Sequence, residues 1–174
     1  MPTMTKTKDA ISLLKMDHKE VKRLFDAFED TDQANEQKKI ADQAIKELKI
    51  HATIEEEIFY PAVNAALGKD HDIVTESKEE HRVAKTLIEA LEQMSPKDEE
   101  FEAKFIVLAE NVRHHIKEEE NEMFKKIKSK DLDLEQLGEQ MTARKEELMQ
   151  NEQSLQEAVE SSEVKPYQEL GSSK

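Results

Sequence analysis

No cysteine occurs among the 174 residues. Disulfides, thiolate metal ligands and a thiol nucleophile are therefore excluded, and a reducing compartment is compatible with the chain. Glycine and proline are scarce, at 3 and 4, so little punctuates whatever regular structure forms. Positive charge is in deficit: 26 Lys and Arg stand against 40 Asp and Glu, a net charge of −14. Such a surface repels nucleic acid and anionic membranes, and neither is an expected partner. The opening stretch MPTMTKTKDAISLLKMDHKE carries basic residues but no unbroken apolar core and no small-residue cleavage site. It reads as neither a leader nor a membrane span, and the expected setting is cytoplasmic.

Helix formers such as Glu, Lys, Ala, Leu and Gln dominate what is present, charged residues reach 38%, and the length suits one domain with a sizeable core. The apolar rhythm alternates +3 and +4, the signature of amphipathic helices. A first helix is expected over 8–30, with the stripe Ile11, Leu14, His18, Val21, Phe25, Phe28. A second, over 36–60, carries Ala41, Ala44, Leu48, His51, Glu55, Ile58, and residues 62–72 read as a loop or short turn. A third, over 72–94, carries Val74, Ser77, His81, Ala84, Ile88, Leu91. Ser95-Pro96, with Asp98, reads as the cap of a fourth helix over 96–128, whose stripe is Phe101, Phe105, Leu108, Val112, His115, Glu119, Glu122. Asp133 with Gln136 caps a fifth helix of thinner stripe, Leu134, Leu137, Met141, Leu148, expected on the outside of the bundle. The organisation predicted is all-α: an up-down-up-down four-helix bundle with an additional C-terminal helix over 1–150, then a helix end and mobile acidic tail over 151–174.

Histidines and glutamates occupy core positions of these stripes. His51 and Glu55 are four apart, hence on one face, and the pair recurs as His115 and Glu119 at an offset of 64. The run DHKEVKRLFDAFE (17–29) also aligns with EHRVAKTLIEALE (80–92), matching His18 to His81. The chain thus reads as two helical hairpins, each supplying His…His-x-x-x-Glu. A buried carboxylate is costly unless something positive compensates it. Six such ligands in two matching repeats point to a site for two metals: His18 and His51 on one, His81 and His115 on the other, Glu55 and Glu119 bridging both. Octahedral ions then keep about two open positions each, one for a shared oxo or hydroxo bridge and one for water, dioxygen, nitric oxide or peroxide. Mixed imidazole and carboxylate ligation suits iron or manganese better than zinc. An apolar wall of Leu14, Val21, Leu48, Ile88, Leu108 and Val112 is expected to exclude water. Glu57, Lys117, Glu118 and Glu120 read as solvated, Glu56 as bordering the core, His71 and His114 as surface, and Tyr60 as a boundary aromatic within reach of the site.

On these residues the chain resembles the hemerythrin-like, or HHE cation-binding, domain family, over 9 to about 128, and LGEQMTARKEEL resembles the tail of stand-alone bacterial members. The resemblance implies an up-down-up-down bundle with two non-haem iron ions held by His18, His51, Glu55, His81, His115 and Glu119. Oxygen-carrying hemerythrins have a further histidine one turn along the third helix; here the positions one turn from His81 are Ser77 and Lys85. That difference shifts the expectation from reversible oxygen carriage toward peroxidase- or catalase-like chemistry or reaction with nitric oxide. The alternative expectation is a sensor or iron-centre repair protein in iron, oxygen or nitrosative stress, acting through a protein partner.

Overall fold

A computed structural model describes residues 8–168. Residues 1–7, at the start of the no-leader reading, and 169–174, at the end of the expected tail, lie outside the described residues. Helix α1 (Ala10–Glu29) starts at Asp9, whose Oδ1 accepts from the Ser12 N–H at 2.9 Å. It pairs with α2 (Ala34–Ile54), and α4 (Asp72–Glu92) pairs with α5 (Phe101–Glu118). These are the two hairpins of the sequence repeat, and among the described residues there is no strand.

Both long return helices are interrupted at equivalent places. Glu55–Phe59 and Glu119–Met123 are single π-helical turns, continued by α3 (Tyr60–Leu67) and α6 (Phe124–Lys128). In each, the N–H five residues on from the glutamate returns to its carbonyl: Tyr60 to Glu55, Phe124 to Glu119. The inserted residue moves the core stripe by one. Phe59 and Tyr60 are buried rather than Ile58, and Met123 and Phe124 rather than Glu122, which is exposed. The first π turn also accommodates Pro61, so the helix runs on through the segment expected as a loop and ends at Gly68, whose φ of 58° suits glycine. Ser95 and Asp98 do exchange capping bonds, the Lys97 N–H to Ser95 Oγ at 3.2 Å and the Ser95 N–H to Asp98 Oδ2 at 2.8 Å. They close only a turn, and α5 begins five residues later than the sequence predicts, at Phe101.

Asp133 caps α7 (Leu134–Gln150) as expected, accepting from the Gln136 N–H at 2.9 Å. Helix α7 lies on α1 and α2, and its Gly138 permits the approach: a β-carbon there would collide with the Lys8 carbonyl. Where the sequence predicts loss of regular structure, a further helix follows. Asn151 caps α8 (Glu152–Ser161), which buries Leu155 and Ala158. That stripe is too short to register as a periodicity. Residues 162–168 then run along α4: the Lys85 ammonium donates to the Val164 carbonyl at 2.7 Å and the Tyr167 N–H to Thr86 Oγ1 at 2.8 Å.

The core falls into two apolar clusters. One, around Phe25, Phe28, Leu48, Phe101, Phe105 and Val112, fills the end with the hairpin loops. The other, around Leu14, Ile54, Phe59, Tyr60, Phe124 and Met141, fills the opposite end under α7 and α8. Between them lies a polar layer.

Candidate metal centre

All six sequence-predicted ligands sit in that layer and are buried: His18 (1% exposed), His51 (7%), Glu55 (0%), His81 (5%), His115 (6%) and Glu119 (1%). The rings pair within each hairpin, with centroids 4.9 Å apart for His18 and His51 and 4.8 Å for His81 and His115. Every histidine turns Nε2 toward the middle. Each glutamate spans the pairs. Glu55 places Oε1 against His51 Nε2 and Oε2 at 3.7 Å from His81 Nε2 and 3.9 Å from His115 Nε2. Glu119 places Oε1 at 3.3 Å from His18 Nε2 and Oε2 at 3.3 Å from His115 Nε2. The donor atoms of His18, His51, Glu55 and Glu119 lie within 4.8 Å of one another, as do those of Glu55, His81 and His115.

The outer nitrogens follow a second pattern. Each Nδ1 meets its own carboxylate: His18 with Glu120 at 3.0 Å, His51 with Asp17 at 3.1 Å, His81 with Glu56 at 2.8 Å and His115 with Glu80 at 2.5 Å. The arrangement repeats across the hairpins. The residue before the first histidine, Asp17 or Glu80, holds the second histidine of its own hairpin. The residue after the glutamate, Glu56 or Glu120, holds the first histidine of the other hairpin. A carboxylate on Nδ1 keeps the proton there and leaves the Nε2 lone pair free to ligate. The sequence reading missed Asp17 and Glu80, left Glu56 at the margin and took Glu120 as solvated. Glu120, in the second π turn, is half-buried where it reaches His18 of α1. The signal available was the acidic residue before the first histidine and after the glutamate, at the same places in both repeats.

Tyr60 is fully buried, not a boundary residue. Its hydroxyl donates to Glu119 Oε2 at 2.9 Å and lies 3.2 Å from His81 Nε2. The position 64 residues on is Phe124, which stacks on His18 at 6.1 Å. His71 and His114 are on the surface, as expected. A cavity of about 40 Å³ adjoins the histidines, lined by Val21, Leu48, Ile88 and Val112 of the expected wall, with Ala84 and Ile116. Leu14 and Leu108 of that wall do not line it.

Electrostatically the layer is under-compensated. Burial works against charge on Asp17, Glu56, Glu80 and Glu119, yet each is held below the usual carboxylate range. Burial pushes Asp17 up, but His51 and Lys145 more than offset it and hold it below the usual range. Burial likewise opposes ionised Glu56, and His81 and Lys85 bring it down to about 2. His18, His51 and His115 are drawn upward: burial lowers His115, but Glu119 and Glu80 raise it to about 10. His18 Nε2, His51 Nε2, both oxygens of Glu55 and Glu119 Oε1 nevertheless have no hydrogen-bond partner. His51 Nε2 and Glu55 Oε1 are in contact without hydrogen-bond geometry. Buried polar atoms are normally satisfied. Five that face one another, all lone-pair donors, fit a cation as the missing partner.

The hemerythrin HHE cation-binding domain matches residues 9–127. The chain belongs to that family. Among relatives, it is 32% identical over 120 residues to a protein named DNA nickase from Nostoc, a match covering 67% of this chain but 33% of that protein. It is 32% identical over 110 residues to an uncharacterized protein of Mycobacterium tuberculosis, covering 62% of this chain and 66% of the relative. The matches thus span from a third to just under two thirds of the relatives' own length. The crystal structure of a hemerythrin HHE cation-binding domain-containing protein from Mycobacterium kansasii superposes with a TM-score of 0.71 at 25% identity, over 87% of this chain and 99% of the other. The bundle is therefore hemerythrin-like, its domain is of a metal-binding kind, and its His/Glu clusters could hold the cations. Among the described residues no helix is long and apolar enough to cross a membrane.

Proposed function

We propose that this HHE protein holds two non-haem iron ions and uses them to bind or react with a small molecule: dioxygen, nitric oxide or peroxide. In this reading His18 and His51 hold one ion, His81 and His115 the other, and Glu55 and Glu119 bridge them. The carrying observation is the set of unpartnered, inward-facing Nε2 and carboxylate atoms, with every Nδ1 held from outside by a carboxylate. An all-oxygen site would suit magnesium or calcium, and a thiolate site zinc; imidazole with carboxylate at high coordination number favours iron or manganese.

Iron bound here would supply one-electron redox chemistry and open positions for ligands. The protein's own contribution is positioning and exclusion. The cavity has room for about three water-sized volumes at roughly 10–15 Å³ each, which suits two-atom ligands and peroxide and excludes bulky organic substrates. Its apolar lining favours uncharged ligands. Among the described residues the Tyr60 hydroxyl is a neutral donor directed at Glu119 Oε2, and burial beside Glu119 and Glu55 pushes its pKa up, so it holds its proton there. The nickase name belongs to a protein three times the matched length, and a surface of net charge −14 is poorly suited to a phosphate backbone.

A second reading is an iron-, oxygen- or nitrosative-stress sensor acting through a protein partner. It draws on the C-terminal segment, because Ser162 Oγ donates to Glu56 at 2.6 Å and Glu56 holds His81. Anaerobic reduction followed by separate exposure to oxygen, nitric oxide and peroxide tests both. Repeated turnover of peroxide or nitric oxide supports redox chemistry. A single stoichiometric response with a change in protease sensitivity of residues 152–168 supports sensing. No spectral response to any of the three would contradict both.

A further inference from the structure

Helix α7 covers one half of the bundle. Two adjacent basic residues on it point to different places. Arg144 grips Glu57 at the surface, with Nε and Nη2 at 2.8 and 3.1 Å from its two carboxylate oxygens. Lys145 instead donates its ammonium to Asp17 Oδ1, while Asp17 Oδ2 lies 3.1 Å from His51 Nδ1. Asp17 is 6% exposed. A carboxylate that buried needs a cation beside it, and Lys145 is the one lysine that reaches it among the described residues.

The related position of the other hairpin has the reverse setting. Glu80 holds His115 Nδ1, but its neighbours are the His114 ring at 3.8 Å and the Glu118 carboxylate. No ion pair to lysine or arginine is made by Glu80 among the described residues, and α7 packs against α1, α2 and the first π turn. The remaining outer carboxylates do not remove the contrast. Glu56, behind His81, has Lys85 at 2.8 Å, a residue of the bundle itself. Glu120, behind His18, is half-buried and is drawn down by that histidine and, less, by Lys22 and Lys15, which belong to the bundle itself.

We infer that Lys145 is a positioning residue for the metal centre: held over Asp17 by α7, it fixes the carboxylate that orients His51, so the His18/His51 metal position depends on α7, whereas the His81/His115 position leans on Lys85 and Ser162 through Glu56 and not on α7. The inference rests on the two-metal reading above. With Lys145 in place on Oδ1, Asp17 is fixed with Oδ2 on His51 Nδ1, and the ring keeps Nε2 pointing inward. Without it, Asp17 loses its anchor and the ring loses its orienting partner. Loss of such an outer partner lowers metal affinity by about 10–100-fold. Helix α7, which looks like an added brace, is then part of one half of the site.

The test is a titration of chelator-stripped, full-length protein with cobalt(II), followed by calorimetry and by the visible ligand-field spectrum. Wild type takes up two ions. Lys145→Met weakens one of them about 10–100-fold and leaves the other within about twofold. Lys145→Arg restores the weakened step, and Asp17→Asn reproduces its loss while keeping the shape of the side chain. Arg144→Met removes the α7 anchor on Glu57 without touching Asp17; it lowers Tm and leaves both affinities unchanged. Equal weakening of both ions in Lys145→Met, matched by Arg144→Met, would reduce Lys145 to a docking contact and overturn the inference. So would two unchanged affinities in Lys145→Met. Wild type that binds no cobalt and no ferrous iron would overturn the two-metal reading itself, a result distinct from either of these.

Discussion

In the first hairpin, Ile50 and Ile54 turn outward from α2 and are buried in one apolar cluster with Leu137, Met141 and Leu148 of α7. In the second, the positions 64 residues on are His114 and Glu118, paired with each other at 3.0 Å in solvent. Beside the centre, the position of Tyr60 in one hairpin is taken by Phe124 in the other, and that of Pro61 by Lys125. The six inward residues, the four outer carboxylates and both π turns match across the pseudo-two-fold axis. What meets the centre is repeated, and what meets the outside is not. The difference separates two demands on one sequence. On the proposed two-metal reading, the ligand chemistry fixes the inner positions, while the docking of α7 on one side alone fixes the outer apolar ones.

The largest expected effect tests the symmetric part. Glu55→Gln takes a carboxylate oxygen from both ligand groups, and Glu119→Gln takes one from the His18/His51 group and from beside His115. Each should reduce retained metal from two ions to at most one, with affinity falling by more than the 10–100-fold typical of an outer partner. Elemental analysis after dialysis reads this. Unequal losses would mean that one carboxylate bridges and the other does not.

Metal removal should separate the two protonation regimes. In metal-free protein the His115 pKa is raised to about 10. A raised histidine contributes stability fully below its unfolded value near 6.5, and loses it as pH rises through the folded value. Glu56, lowered to about 2, works the other way: its contribution is present above about 4.5 and lost as pH falls toward 2. Chelated protein should therefore melt progressively lower from pH 6.5 to 10. Loaded protein, whose imidazoles bind as neutral ligands, should not follow it. Coincident Tm profiles would contradict the site.

Gly138→Ala tests the asymmetric part. The new methyl meets the Lys8 carbonyl backbone, which should cost about 1–3 kcal/mol in denaturant melts and reach the centre through the first hairpin only. Smallest is Tyr60→Phe, which makes that position match Phe124. Loss of the hydroxyl bond to Glu119 should cost about 1 kcal/mol and shift the absorption of the loaded protein without changing its metal count. An unchanged spectrum would leave Tyr60 a packing residue.

The bundle and the inward placing of its four histidines and two glutamates were legible because a 3.6-residue period and a 64-residue repeat leave plain traces in sequence. The π turns left almost none. They appear as a one-residue slip from Ile58 to Phe59 and from Glu122 to Met123, which a regular helical stripe absorbs unnoticed. The outer carboxylates were hidden for another reason. Asp17, Glu56, Glu80 and Glu120 each stand next to a ligand, and in a chain with 40 acidic residues an adjacent carboxylate carries little information until the helices are placed. Lys145 could not be read at all, because its partner lies 128 residues away on α1. Helix α8 escaped because Leu155 and Ala158 are too few to set a period.

The most direct test of the account is the metal content of freshly purified protein, measured together with its absorption spectrum before and after reduction and re-exposure to air. About two irons per chain, with near-ultraviolet charge-transfer bands that vanish on reduction and return with oxidant, is the result predicted. Protein that carries no iron, and whose metal-free form takes up no ferrous ion, would contradict it.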